Sequence, residues 1–304
     1  MPTSRLLSTA IAVAALATTA FAADPKIRVV VVDGQNNHDW KSTTPIILKQ
    51  FAASDRFTVD VATSPQKPKK GESADDYKAA MDKFHPDLTK YDVLVSNYNG
   101  DSWGKAFNDD LDARLKAGKI GLVIVHAANN AFGGWKEYNQ MIGMGWRGPK
   151  DGRRLKYDGE GKEIIVPAGE DQGSGHRYTG PFTITVRDPE HPITKGMPKE
   201  WLHALDELYD NMRGPIQNVK ILATALSDAA KKGTGAHEPM IWTVTYGEGR
   251  VFHTPMGHDA NAMRCIGFGA TLLRGTEWAA TGKVTIPLPV DFPTAEKNTQ
   301  IPAK

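Results

Sequence analysis

Cysteine is nearly missing: Cys265 stands alone in 304 residues. One thiol cannot close a disulfide within the chain, so stability has to come from packing, and a cysteine-based zinc site is excluded. No Gly-x-Gly-x-x-Gly follows the first apolar run and no Walker loop is present, so no nucleotide cofactor is expected. The Gly-x-Ser-x-Gly elbow is also missing, which counts against a serine hydrolase. Lys and Arg number 37 against 35 Asp and Glu, a net charge of +2. Without a basic excess, no nucleic-acid partner is expected. The one dense run of lysines, Lys67-Pro68-Lys69-Lys70, reads as a solvated loop.

The first residues read as a targeting segment. Arg5 precedes an uncharged apolar run from Leu6 to Ala20, and Ala20-Phe21-Ala22 fits a small-x-small cleavage site, so residues 1–22 are expected to be a secretory signal peptide. No second run of roughly 18 apolar residues follows. Residues 23–304 are therefore expected to be an exported protein with no membrane partner in its mature form, in the bacterial periplasm, and to form a single domain.

Lys26-Ile-Arg-Val-Val-Val-Val-Asp33 is the kind of near-continuous apolar run that marks a parallel strand covered on both faces. Further strands are predicted at Phe57–Thr63, Tyr91–Asn97 and Ile120–Val125. Between them lie helices, one capped by Thr44 with Pro45 in its first turn, one around Tyr77–Phe84, and one capped by Asn108 and stopped by Gly118. The alternation predicts an α/β fold with a doubly wound, mostly parallel sheet and helices on both faces. From about residue 143 to 180 the pattern breaks into glycines and charges, an irregular insertion with one isolated strand at Glu163–Pro167. Strands resume at Phe182–Arg187 and Val219–Thr224, then Met240–Tyr246 and Arg250–Thr254 flank Gly247-Glu248-Gly249 as a hairpin. A last helix is predicted from Ala262 to Ala279, carrying Cys265.

In such a sheet, ligands bind at the carboxyl ends of the strands. His38, with Asp39 and Trp40, follows the first strand. Asn97 and Trp103 follow the third, His126 ends the fourth, and His258-Asp259 follows the late hairpin. Three separate strand ends thus deliver imidazoles to one edge, while His85 and His237 read as ordinary polar residues and His191 as part of a turn. Asp206-Glu207-Leu208-Tyr209 adds two acids and a phenol. If that segment is helical, adjacent acids diverge by about 100 degrees and only one faces the site. His176 sits among glycines in the irregular region. Histidine with carboxylate serves acid–base chemistry or binds a divalent metal. The candidate ligands are His126, His176, Glu207 and His258, with zinc, manganese or a similar ion in view. Trp40, Trp103 and Trp135 fall at the same edge.

Asn37-His38-Asp39-Trp40, the Gly121–Trp135 segment, Asp188–Ile193, Asp206–Tyr209 and Tyr246–Asp259 together resemble the ThuA-like (trehalose utilisation) family, whose fold is similar to that of class I glutamine amidotransferases, a flavodoxin-like architecture. The chain departs from the family pattern at Gln35-Asn36-Asn37, where another glycine or histidine is expected. In the amidotransferases a nucleophilic cysteine occupies the turn where this chain has His126, so the resemblance implies that glutaminase activity is absent.

The resemblance further implies action on glycosides oxidised to a 3-ketone by a partner sugar dehydrogenase. The ketone acidifies the C2 proton, so a base can remove it and the glycosidic oxygen can leave with an acid's help. The expectation is a carbohydrate-active hydrolase or lyase that cleaves or isomerises a 3-keto glycoside. His126, Glu207 and His258 are its candidate catalytic groups. His38, Asp39, Trp40, Asn97, Trp103, Trp135, Asp206, Tyr209 and Asp259 are its candidate substrate contacts. The alternative is a carbohydrate-binding or accessory protein that keeps the crevice without turnover. The two part on the acids, because turnover needs a titratable group such as Glu207 within reach of the imidazoles.

Overall fold

The computed structural model describes residues 25–303, so the proposed signal peptide lies outside the described residues. The apolar run after Lys26 forms β1 (Ile27–Asp33). Alternation along it serves two cores. Val29 and Val31 join one cluster with Ile47, Phe51, Phe268 and Leu272, whereas Val30 and Val32 join the other with Met81, Phe107 and Leu111. A strand buried on both faces has no polar side to show, which is why its sequence is continuous rather than alternating.

The next elements are α1 (Trp40–Ala52), β2 (Phe57–Thr63), α2 (Ala74–Lys83), β3 (Val93–Ser96), α3 (Lys105–Lys116), β4 (Gly121–Val125) and α4 (Lys136–Ile142). They make the parallel half of the sheet, in the order β2-β1-β3-β4. Two helix starts differ from expectation. Helix α1 begins at Trp40 with Asp39 before it, and Pro45 lies inside. Thr44 does not cap, because its hydroxyl is committed to Asp33 Oδ2 at 2.8 Å, tying the helix to the end of β1. Helix α3 begins at Lys105, with Gly104 at its cap, so Asn108 lies inside the helix and does not cap it. Its acids pair along the helix instead of serving the first turn, Asp109 with Lys105, Asp110 with Arg114 and Asp112 with Lys116, the i, i+4 spacing that brings side chains together.

The irregular stretch holds β5 (Arg153–Tyr157) and β6 (Glu163–Val166), which pair as a hairpin; the sequence pattern marks only the second of them. Beyond it come β7 (Gly175–Val186), β8 (Glu200–Asp210), β9 (Arg213–Gly214), β10 (Val219–Leu226), β11 (His237–Tyr246) and β12 (Gly249–Thr254). β12 pairs in parallel with β4, then turns back on β11, and the sheet continues antiparallel through β10, β7 and β8. The hairpin at Gly247–Gly249 is as expected. The doubly wound α/β reading holds, with parallel strands on one side of the site and an antiparallel wing beside it.

Two more expectations are corrected. Asp206–Tyr209 is strand, not helix, with Asp206 opposite Gly180 and Glu207 opposite Thr179. The last helix is two, α5 (Ala260–Met263) and α6 (Ile266–Thr281), and Cys265 is the cap between them rather than a helical residue. It is buried and makes an isolated bridge to Gln300. Among the described residues no helix is long and apolar enough to cross a membrane.

Candidate functional site

β4 is buried throughout and ends at Val125; the next residue, His126, takes φ of 45°. A residue with a β-carbon enters that left-handed region only at a cost, and such strain gathers at functional turns. The bend drives a buried imidazole into the crevice at the carboxyl edge. Its Nδ1 donates to the Pro255 carbonyl at 2.6 Å, which leaves Nε2 as the atom with a free lone pair. Nε2 accepts from the Tyr209 hydroxyl at 3.1 Å and lies 3.7 Å from Glu207 Oε2.

Glu207 is the hub. His258 Nδ1 stands 3.2 Å from its Oε2, and His176 Nε2 stands 3.6 Å from its Oε1. The His38 ring packs edge-on at 4.7 Å from both His126 and His258. One donor atom each from His38, His126, Glu207 and His258 falls within 4.8 Å of the others. The loop after β1 thus supplies the fourth member of this group, where His176 was expected; His176 stays on its rim, 44% exposed, still facing Glu207.

The four groups are not electrically alike. Burial, together with the neighbouring imidazoles, pushes His38 down to about 4. Burial also lowers His126. Glu207 raises His258. Burial on its own would raise the Glu207 carboxyl, but His258, His126 and His176 outweigh it and hold it below its usual range. At neutral pH the set therefore offers one carboxylate, two neutral imidazoles and one imidazole inclined to keep its proton.

Asp206 is fully buried and does not face the crevice as a substrate contact. Its carboxylate accepts from Gly257 N at 2.7 Å, His258 N at 2.9 Å and His203 Nε2 at 2.8 Å. These bonds fix the loop that presents His258. Gly257 has φ of 105°, and a β-carbon there would press on Phe268 and Met263, so glycine is required at that turn. Asp259 is the cap of α5, accepting from Ala262 N at 2.8 Å.

The remaining candidates divide. Tyr209 is in the site, its phenol raised by burial and so a neutral donor. Trp40 is half-exposed at the first turn of α1, and Asp39 beside it is exposed. Trp135 is half-buried and stacks on Tyr138. Asn97 is buried and spends its amide on Thr43 and Thr44. Trp103 is 2% exposed and stacks on Phe107. The chain there is already turning into α3, so Trp103 belongs to the core and not to a sugar face. The aromatic that does wall the site is Trp146, edge-on to Tyr209 at 4.7 Å and tilted against His176 at 5.7 Å. Its signal was an aromatic between Gly145 and Arg147-Gly148 in the irregular stretch, the same setting that marked His176. His253 is structural. It is buried against Trp242, holds Ile142 and Asn129, and is pushed by burial down to about 3. His191 orders its turn by accepting from Ile193 N.

A family model described as trehalose utilisation, ThuA, matches residues 28–279. The chain is similar to a protein from Parabacteroides merdae, described as ThuA-like, with 39% identity and a TM-score of 0.82 over 91% of this chain and 98% of that one. It shares its fold with a second protein so described, from Bacteroides uniformis, at 18% identity and a TM-score of 0.55, covering 87% of this chain and 95% of the other. No curated protein matches it in sequence.

Proposed function

The chain belongs to the ThuA (trehalose utilisation) family, and from that premise we propose that it is an exported carbohydrate-active enzyme that cleaves an oxidised, 3-keto glycoside by acid–base chemistry at the His126–Glu207–His258 cluster. The observation that carries the reading is Glu207, a carboxylate within 3.2 to 3.7 Å of three imidazoles. A crevice that only recognises sugar needs amides and aromatics, not a charged group set among titratable ones.

The roles follow from the proton positions. His126 is neutral, and its Nε2 lone pair accepts the proton from the carbon beside the ketone. As Nε2 gains that proton, the Tyr209 hydroxyl gives up its present acceptor and turns to the enolate oxygen, adding a donor where negative charge develops. His258 keeps its proton because Glu207 lies beside it, and passes it to the glycosidic oxygen as the bond to C1 breaks. The C2–H bond and the C1–O bond are lost, a C1–C2 double bond forms next to the ketone, and the free alcohol departs. Trp146 offers a face for the sugar ring.

The donor set also fits a divalent cation such as zinc or manganese, with His38, His126, Glu207 and His258 to hold it. Three imidazoles and one carboxylate are ligands of the right type, and His258 Nδ1, though close to Glu207, is buried without a well-directed hydrogen bond. Bound there, the ion would take the Nε2 lone pair of His126 and need a neutral His258, so these two would serve as ligands in place of base and acid, and the ion itself would polarise the ketone and hold the enolate's charge. The Pro255 carbonyl, by fixing the His126 tautomer, is the outer partner such a ligand needs. A sugar dehydrogenase would supply the ketone. The test is release of free alcohol from a 3-keto glucoside against the unoxidised glucoside. Release from the ketone alone supports the elimination, and release from neither leaves binding as the function.

A further inference from the structure

The lysine-rich loop that reads as solvated in the sequence folds back beside the site. Lys67 and Lys69 line a cavity of about 520 Å³ together with Lys41, Trp40 and the amides of Asn37 and Gln66, a size that suits a small polar ligand. Among the described residues no carboxylate lines it, although Glu72 accepts from Lys69 N at 2.8 Å. A second cavity of about 620 Å³ shares Trp40, Lys41 and Gln66 with the first, so Trp40 stands between two adjoining hollows.

The cavity adjoins the cluster through one residue. Asn37, in its wall, lies 3.0 Å from His38 Nε2 and receives the Asn99 amide on its other side. Side-chain amides donate and accept toward hydroxyls, and an exposed indole takes a sugar face. The lysines add what a neutral sugar does not need. Lys67 shares its charge with Asp101 at 3.1 Å, and Lys41 lies over the Trp40 ring. Lys69 makes no ion pair among the described residues. The first turn of α1, at Trp40 and Lys41, turns the positive end of its dipole to the same place.

We propose that this cavity is a subsite for an anionic sugar unit, carrying a carboxylate or a sulfate, joined to the unit that reacts at the cluster. The inference rests on the glycoside reading above and narrows its substrate class to acidic glycans. A binding experiment separates the two. Three disaccharides are titrated into the full-length mature protein and into His126→Gln: a glucuronic acid–glucose pair, its 6-sulfated glucose counterpart, and the neutral glucose–glucose pair. At low salt an acidic disaccharide is expected to bind at least about tenfold more tightly than the neutral one, a difference of about 1.4 kcal/mol, in both proteins, and the preference should shrink at high salt. Whichever acidic member is preferred identifies the anion. In Lys67→Gln/Lys69→Gln, lining residues outside the cluster, the preference is expected to fall below about threefold while neutral binding is kept. Equal binding of acidic and neutral sugars, binding of none, or a preference that survives the double substitution would overturn the subsite. A wild type that does not turn over a 3-keto glycoside but keeps the preference would instead overturn only the chemistry at the cluster.

Discussion

Two regions of the molecule bury ionisable groups, and they do so in opposite ways. Under the irregular stretch, Arg154 is paired with Glu238 and Asp171, Arg177 with Asp210, and Arg213 donates to the carbonyls of Glu170 and Gln172 at 2.6 and 2.7 Å. Glu238 is completed by the Thr234 hydroxyl at 2.7 Å. Charge meets fixed counter-charge or carbonyl, and the groups pin β5 to β11, β7 to β8, and β9 to the loop after β6. At the carboxyl edge the arrangement is open. Several imidazoles share one carboxylate, and donor atoms of His38, His126, Glu207 and His258 all fall within 4.8 Å of one another. A closed network can only hold a fold together, whereas an open one has lone pairs and protons to lend.

That contrast can be broken at either end. Glu238→Ala leaves Arg154 buried beside a missing partner, and about 3–5 kcal/mol of stability should go, read as a lower denaturant midpoint, with turnover per folded molecule kept. Glu207→Gln should do the reverse. The midpoint stays near that of the wild type while turnover drops by about 100-fold or more; a lowered midpoint with turnover per folded molecule unchanged would make Glu207 part of the scaffold.

A change of pH sharpens the same comparison. A cation binds only neutral imidazole, and His38, at about 4, and His126, also lowered, are already neutral near pH 7. His258 is raised by Glu207, so its proton must leave before a cation is held. Affinity should be full above the raised pKa of His258 and weaken as pH falls through it, by about tenfold for each unit below. Metal titration across pH 5 to 9 checks this, and a loss confined to the range near pH 4 would place the control at His38 instead. The smallest effect belongs to Cys265, a buried thiol that touches His203 but is not one of the cluster's donor groups. Cys265→Ala should cost about 1 kcal/mol of stability and leave turnover unchanged, as measured by denaturation and rate side by side.

The parallel half of the sheet was legible because burial on both faces writes itself as Val30-Val31-Val32 or Leu122-Val123-Ile124, and the strand ends then place His126 and His258 with no tuning. Register in the antiparallel wing was not. Asp206-Glu207-Leu208-Tyr209, two acids followed by Leu and Tyr, fits strand or helix, and only pairing with β7 decides that Glu207 enters the crevice while Asp206 is sealed beneath it. Trp103 and Asn97 were placed in the site by proximity to a strand end, but a chain leaving a strand can turn inward as well as out. Trp146, Lys67 and Lys69 sit in segments without periodicity, where long-range packing sets position and local sequence says little. His38 joined the donor group in place of His176 for a similar reason, since the distance between loop tips depends on how α1 docks.

The measurement closest to the central proposal sets wild type and His126→Gln side by side for bound divalent metal and for turnover of a 3-keto glycoside. The expected result is a folded variant, with an unchanged thermal midpoint, whose metal content falls and whose turnover drops by about 100-fold or more. A folded variant that keeps both metal and turnover would contradict it, and the strained histidine at the end of β4 would then be a matter of folding alone.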